Sequence, residues 1–174
     1  MKSRKILFFT FIVQLFFFTK LSADVPHFVD FKFILNESVA GKKAQDFLKK
    51  KLNDGIKNIK STEKKIQEEE KKIIQQKKVL SADDYKSKVK DLRAKVATLQ
   101  KQRSNLYKEV ADQRSKARNE LLTNLNPIIQ EYMKKNNIRM VIDKKSILLA
   151  DEKLDLTKEI IEILNKKLTS IKLK

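Results

Sequence analysis

The chain has 174 residues, 40 Lys and Arg against 22 Asp and Glu, a formal net charge of +18 and no cysteine. The length suits one domain, and the missing thiols exclude disulfides, thiolate metal sites and cysteine nucleophiles while suiting an oxidising compartment. The charge excess points to polyanionic partners: nucleic acid, anionic lipid or lipopolysaccharide, or acidic polypeptide.

The first 23 residues read as a secretory signal peptide. Met1-Lys2-Ser3-Arg4-Lys5 is a basic opening, Ile6 to Phe18 is apolar but for Thr10 and Gln14, and Leu21-Ser22-Ala23 offers cleavage after Ala23. The apolar run, about 13 residues, is short against the ~20 needed to span a bilayer, and Lys20 closes it. Six of the ten Phe fall in the first 18 residues, so the remainder is poorer in apolar groups than the composition suggests. Four basic residues and no acid precede Asp24, which leaves +14 on the rest. The signal predicts a soluble mature protein outside the cytoplasm, in the periplasm of a Gram-negative cell.

Asp24 to Phe33 reads as an extended segment, with a strand in the alternation Phe28-Val29-Asp30-Phe31 after Pro26. His27, the only histidine, reads as a surface or packing residue and not a ligand. From Ile34 to Lys42 the candidate helix caps are Asn36 and Ser38. The small residues Ser38, Ala40 and Gly41 would admit a close backbone approach. Gly41-Lys42 lacks the rest of a phosphate-loop pattern.

Lys43 to Leu80 predicts a long helix. Leu52, Ile56, Ile59, Ile66, Ile73 and Leu80 form a heptad seam whose intervening slots hold Glu63, Glu70 and Lys77. Gly55 is a candidate bend. Ser81, followed by Asp83 and Asp84, predicts a helix start and a reversal of direction. Ala82 to Leu125 is the second long helix, with a fuller seam at Tyr85, Val89, Leu92, Val96, Leu99, Leu106 and Val110, and Arg103 in its polar slot. The two helices predict an antiparallel hairpin over residues 42–125, roughly 57 and 66 Å in its two arms at 1.5 Å per residue. Half-polar seams imply arms that splay. This stretch carries 24 basic and 12 acidic residues, so nearly all the excess charge lies on it.

Asn126-Pro127 predicts a kink or a fresh helix start, with Ile128, Ile129 and Met133 apolar beyond it. After a turn at Asn136-Asn137, Ile138 to Asp143 and Ser146 to Ala150 read as a pair of hairpin strands. Asp151 to Leu154 is a loop. Asp155 or Thr157 caps a final amphipathic helix bearing Ile160, Ile161, Ile163, Leu164 and Leu168. A long hairpin buries little surface per residue, so the packed body is expected from residues 24–41 and 126–174. No acid–base pair, metal cluster or nucleophile arrangement suggests an enzyme or a cofactor.

Four motifs carry a resemblance. They are Val29 to Lys42 (V-D-x-x-x-I-L-N-E-S-x-A-G-K), Val141 to Asp143 (V-I-D), Leu148 to Ala150 (L-L-A) and Asp155 to Ile161 (D-L-T-x-x-I-I). With the order signal, strand, long hairpin, strand pair, terminal helix, the chain resembles the Skp/OmpH family of periplasmic chaperones for outer-membrane proteins. The resemblance implies a mostly α fold with a small β-body that assembles as a homotrimer. Its helical hairpins would project as tentacles around unfolded outer-membrane β-barrel precursors, held without ATP and kept from aggregating. It also implies affinity for lipopolysaccharide or an anionic membrane surface.

On that reading Val29, Ile34, Leu35, Ala40, Gly41, Val141, Ile142, Leu148, Leu149 and Ile160 are the candidate residues for body and trimer packing. Arg93, Lys101, Arg103, Arg114 and Arg118 are the candidates for client or anionic-lipid contact. The alternative is a structural envelope coiled coil with an uncleaved signal anchor and no client. Nucleic acid is not expected, because no Arg-clustered reading helix or stacking-aromatic platform is present and the signal leads away from it.

Overall fold

The computed structural model describes residues 25–173; the predicted signal peptide and its cleavage point at Ala23 lie outside them. The elements in order are strand β1 (His27–Val29), helix α1 (Phe31–Glu37), helix α2 (Val39–Gln76), helix α3 (Ala82–Lys135), strand β2 (Val141–Asp143) and helix α4 (Thr157–Lys167). Single 3-10 turns lie at Lys144–Ser146 and Glu152–Leu154.

β1 ends sooner than the alternation predicts. The Asp30 carboxylate accepts from the Phe33 amide at 2.8 Å and caps α1, so Phe31 and Phe33 stand on a helix. Of the two candidate caps before the long helix, Ser38 serves. Its hydroxyl accepts from the Gly41 amide at 3.2 Å, and α2 starts at Val39, ahead of the predicted Lys43. A Cβ on Gly41 would collide with the Leu35 carbonyl oxygen, so the tight passage from α1 into α2 needs glycine there.

β1 and β2 pair in parallel, with His27 opposite Val141, Phe28 opposite Ile142 and Val29 opposite Asp143. On the other edge of β1, Phe28 bridges Asp155, and its carbonyl accepts from the Leu156 amide at 2.9 Å. Parallel neighbours need a long crossover; here the crossover contains both long helices. The predicted pairing of 138–143 with 146–150 does not form. The Asp143 side chain accepts from the Lys145 amide at 3.2 Å and opens the 3-10 turn. Lys144 then reaches Asp155 at 3.2 Å and lies over the Phe28 ring, which draws the chain away from the free edge of β2. Leu148 and Leu149, assigned above to body and trimer packing, do not pack on the body of the single chain and are 95% and 90% exposed.

Pro127 does not break α3, which continues from Ala82 to Lys135. A proline inside a helix costs about 3 kcal/mol, and burial around it offsets this: Leu125, Ile128 and Ile129 are all buried. Pro127 itself is exposed, as is Thr123, whose carbonyl loses its i+4 donor. The missing bond therefore falls on the solvent side.

The body core joins Val29 from β1, Ile34 from α1, Ala40 from α2, Leu121, Leu125, Ile128 and Ile129 from α3, and Leu156, Ile160 and Leu164 at α4. Leu35 and Val141 pack at its margin, and Ile142 is half-buried. A polar link ties its ends together. The Asp30 amide donates to the Thr157 hydroxyl at 2.8 Å, and that hydroxyl donates to Asp155.

Candidate functional site: the two-helix arm

α2 and α3 lie side by side with opposite polarity. Lys51 meets Glu109 at 2.6 Å, Glu63 meets Arg103 at 3.4 Å and Glu69 meets Lys95 at 2.7 Å, a series that closes on Ser81. The reversal follows from capping. The Ser81 hydroxyl accepts from the Asp84 amide at 3.1 Å and donates to its carboxylate at 2.6 Å. α2 ends at Gln76, before the predicted Leu80. Lys77 sits 5.8 Å from the centre of the Tyr85 ring, a cation–π contact across the turn.

The seam is closed where splaying arms were expected. Ile59, Ile66 and Leu99 form a buried cluster with Leu92 and Leu106 packed against it, and Ile73 and Val110 are buried as well. The polar slots of the two arms face each other, Glu63 opposite Arg103. Farther out, the slot assigned to Glu70 is taken by Glu69, which is half-buried while Glu70 is exposed. Glu69 is the residue that pairs across the arm, with Lys95 at 2.7 Å. Val96, a predicted seam residue, is 41% exposed.

Gly55 is a notch in the arm. α2 runs through it unbroken, and a Cβ at that position would stand 2.5 Å from both Leu106 methyls. Glycine lets Leu106 seat between the helices.

The arm's outer surface mixes charge with apolar groups. Phe47 and Tyr107 are 41% and 51% exposed, and near the tip Ile74 and Val79 reach 60% and 82%. A shallow groove of about 460 Å³ lies midway along, lined by Thr62, Lys65, Ile66, Glu69, Ala94, Lys95, Thr98, Leu99 and Gln102. Of the basic candidates, Arg93, Lys101, Arg114 and Arg118 are exposed. Arg103 is half-buried and committed to Glu63, so it is a seam residue. The five span roughly 38 Å of helix at 1.5 Å per residue, and they do not form one site. Only Arg114 and Arg118, four apart, share a face within a turn.

Among the described residues three groups are electrostatically shifted. The Asp112 carboxylate, by hydrogen bond and charge, holds the Lys108 ammonium above its usual range. Lys167 acts likewise on Glu131 and lowers its carboxyl. Burial pushes the Asp155 carboxyl up, but hydrogen bonds from the Thr157 hydroxyl and amide and from Lys144 outweigh it, and the net direction is down. Among the described residues no group of His, Cys, Asp and Glu could hold a metal ion, and no helix is long and apolar enough to cross a membrane.

Sequence reasoning missed the Glu63–Arg103 match, the Asp30 cap and the Asp155–Thr157–Asp30 link. The first had a signal. Once the turn is placed at Ser81, Glu63 lies 18 residues before it and Arg103 22 after it, within about one helical turn of each other across the arm. The Asp30 cap is local, three residues before Phe33, but the alternation there reads as strand. The link to Thr157 spans 127 residues, and no local pattern announces it.

The sequence model of the family described as "Outer membrane protein (OmpH-like)" matches residues 27–164. Among solved structures, the chain is similar to the crystal structure of an OmpH-like protein of Caulobacter crescentus CB15, described as a candidate outer membrane chaperone. Identity is 19% and the TM-score 0.81, over 88% of this chain and 92% of that one. No curated protein sequence gives a significant match.

Proposed function

The chain belongs to the OmpH-like outer membrane protein family, and from that premise we propose that it is an ATP-independent periplasmic holdase for unfolded outer-membrane β-barrel proteins. It carries no chemical step on this reading; it binds and releases. The observation that carries the reading is the exposed apolar set Phe47, Val96 and Tyr107 on an otherwise strongly basic arm. Such side chains offer weak contacts to an unfolded chain. Several arms acting together would convert weak contacts into retention through effective concentration, and basic charge would speed capture of acidic segments. The same charge suits lipopolysaccharide or an anionic membrane surface.

The closed seam changes the mechanism expected from the sequence. Capture would use the outward surface of a paired arm and not an opening between its helices. A homotrimer supplies the several arms, and the exposed Leu148 and Leu149 on the body support it. Two adjacent leucines at that exposure in a lone chain mark a surface that a second copy would cover.

The test is aggregation. Urea-unfolded outer-membrane barrel protein is diluted with and without the mature chain. Suppression at one trimer per client is expected, and no suppression overturns the holdase reading. Size-exclusion chromatography with light scattering tests assembly, and a monomer at micromolar concentration removes the trimer. The closed seam also favours a second reading, a stiff envelope spacer held by an uncleaved signal. Sequencing the N-terminus of exported protein separates the two, because cleavage after Ala23 removes the anchor.

A further inference from the structure

The segment after α4 lies beyond the family match, which stops at residue 164. It is not helical: Leu168 is extended, with φ −133 and ψ 105, and the chain bends at Thr169. Leu168, Ile171 and Leu173 are half-buried, while Thr169, Ser170 and Lys172 are exposed. Leu168 and Ile171 pack against the body core. The Lys172 carbonyl accepts from the Lys116 ammonium on α3 at 3.3 Å.

Lys116 sits in an informative place. The α3 residue of the body core nearest the tip is Leu121. Lys116 is five residues farther out, roughly 7.5 Å along the helix. The segment starts from α4, whose Ile160 and Leu164 are fully buried in the body, and reaches past the core to grip the arm's root. We propose that Leu168–Leu173 is a strap that fixes the angle of the arm to the body. Leverage makes this consequential: a tilt of about 5° at the root displaces a tip roughly 60 Å away by about 5 Å. The strap therefore governs how far the arm tip ranges, whatever the arm binds.

The absence of cysteine makes the test direct. Asp83→Cys at the tip and Lys158→Cys in the body, both exposed, take spin labels at two unique positions. Labelled chains are diluted into excess unlabelled protein so that only distances within one chain are read. Removing residues 169–174 should widen the tip-to-body distance distribution at least about twofold and speed amide exchange over residues 112–120 about tenfold, a loss of about 1.4 kcal/mol of local protection. Exchange around Ile160 should stay unchanged. An unaltered distribution overturns the strap, and so does equal acceleration of exchange in the body. Should the shortened chain fail to fold, Ile171→Ala and Lys116→Ala read the same distances, and a width unchanged in both overturns the proposal.

Discussion

The body and the arm are held together by different kinds of contact. In the body, partners are far apart in sequence: the Asp30 amide reaches Thr157 across 127 residues, and Val29 shares a core with Ile160. In the arm, every cross-contact joins residues placed about Ser81, and contacts nearer the tip close shorter loops. Removing one body contact therefore loosens segments from both ends of the chain. Removing one arm contact loosens a turn or two on each side, because neighbouring layers remain zipped.

The largest expected effect tests this contrast. Ile160→Ala deletes a fully buried side chain and should cost about 2–5 kcal/mol, read as a lower denaturant midpoint. Amide exchange should accelerate in β1, the root of α3 and α4 together. Ile66→Ala in the arm seam, where neighbours can relax toward solvent, should cost nearer the lower bound, with faster exchange confined to adjacent turns. If Ile66→Ala also opens the body, the two regions form one cooperative unit and the contrast is broken.

Next in size is Asp155, the polar counterpart of Ile160 in the body. Its carboxyl is held below the ordinary range in the folded protein. Its contribution is therefore fully present above the unfolded value, about 4, and is lost as pH falls through the lower folded value. Asp155→Asn keeps a side-chain oxygen for Thr157 but loses the charge and the Lys144 pair. It should cost about 1–2 kcal/mol near neutrality, toward the low end of the roughly 1.5–3 kcal/mol for a hydrogen bond to a charged group because the Lys144 partner is exposed. Denaturant midpoints across pH should show the variant and the parent converging in acid. A constant gap at every pH would mean that shape, not charge, is what Asp155 supplies.

The same contrast explains what the sequence disclosed. The arm was legible because its rules are local: heptads, a serine cap and two aspartates define two helices and a turn. Its closure was misread because Glu63 and Arg103 were each counted as a defect in its own seam, and only their pairing cancels both. The body was legible in composition but not in topology. Val29, Ile34, Ala40 and Ile160 were placed in the core, yet the parallel partner of β1 lies beyond the whole arm, and no short-range pattern encodes that. Leu148 and Leu149 read as strand residues from their apolar neighbours, while Asp143 and Lys144 redirected the chain before a strand could form. Gly55 reads as a candidate bend from propensity alone, while the seat it gives Leu106 comes from the opposite helix and has no local signal.

Gly55 supplies a smaller effect that sharpens the arm side of the comparison. Alanine should gain about 1 kcal/mol in helix propensity. Against this, its Cβ would meet the Leu106 methyls at 2.5 Å, and overpacking typically costs 1–3 kcal/mol. The methyls end a flexible side chain, so the net loss should be about 1 kcal/mol or less. Coupling is the decisive measurement. Gly55→Ala with Leu106→Val should be more stable than the two single losses predict. A full gain from Gly55→Ala alone would show that Leu106 does not need the notch.

The smallest effect decides how the arm stays shut. Glu63 and Arg103 are 44% and 39% exposed at their side chains, and pairs at such exposure contribute about 0.2–1 kcal/mol. Stability is thus not their main effect; removing only one of them is. Glu63→Leu leaves Arg103 facing an apolar layer, and Arg103→Leu leaves Glu63 likewise. Each should destabilise the arm and raise exchange around Ile59 and Leu106. The double leucine variant restores a continuous apolar seam, and it should match or exceed the parent, since replacing a partly buried pair with packed hydrophobes is often neutral or stabilising. The double variant also separates stability from capture. If it holds unfolded client as well as the parent does, the outer surface of a closed arm suffices for binding. If capture falls as the seam tightens, the polar layer serves as a point where the arm opens, and the splaying inferred from the sequence describes the bound state and not the resting one.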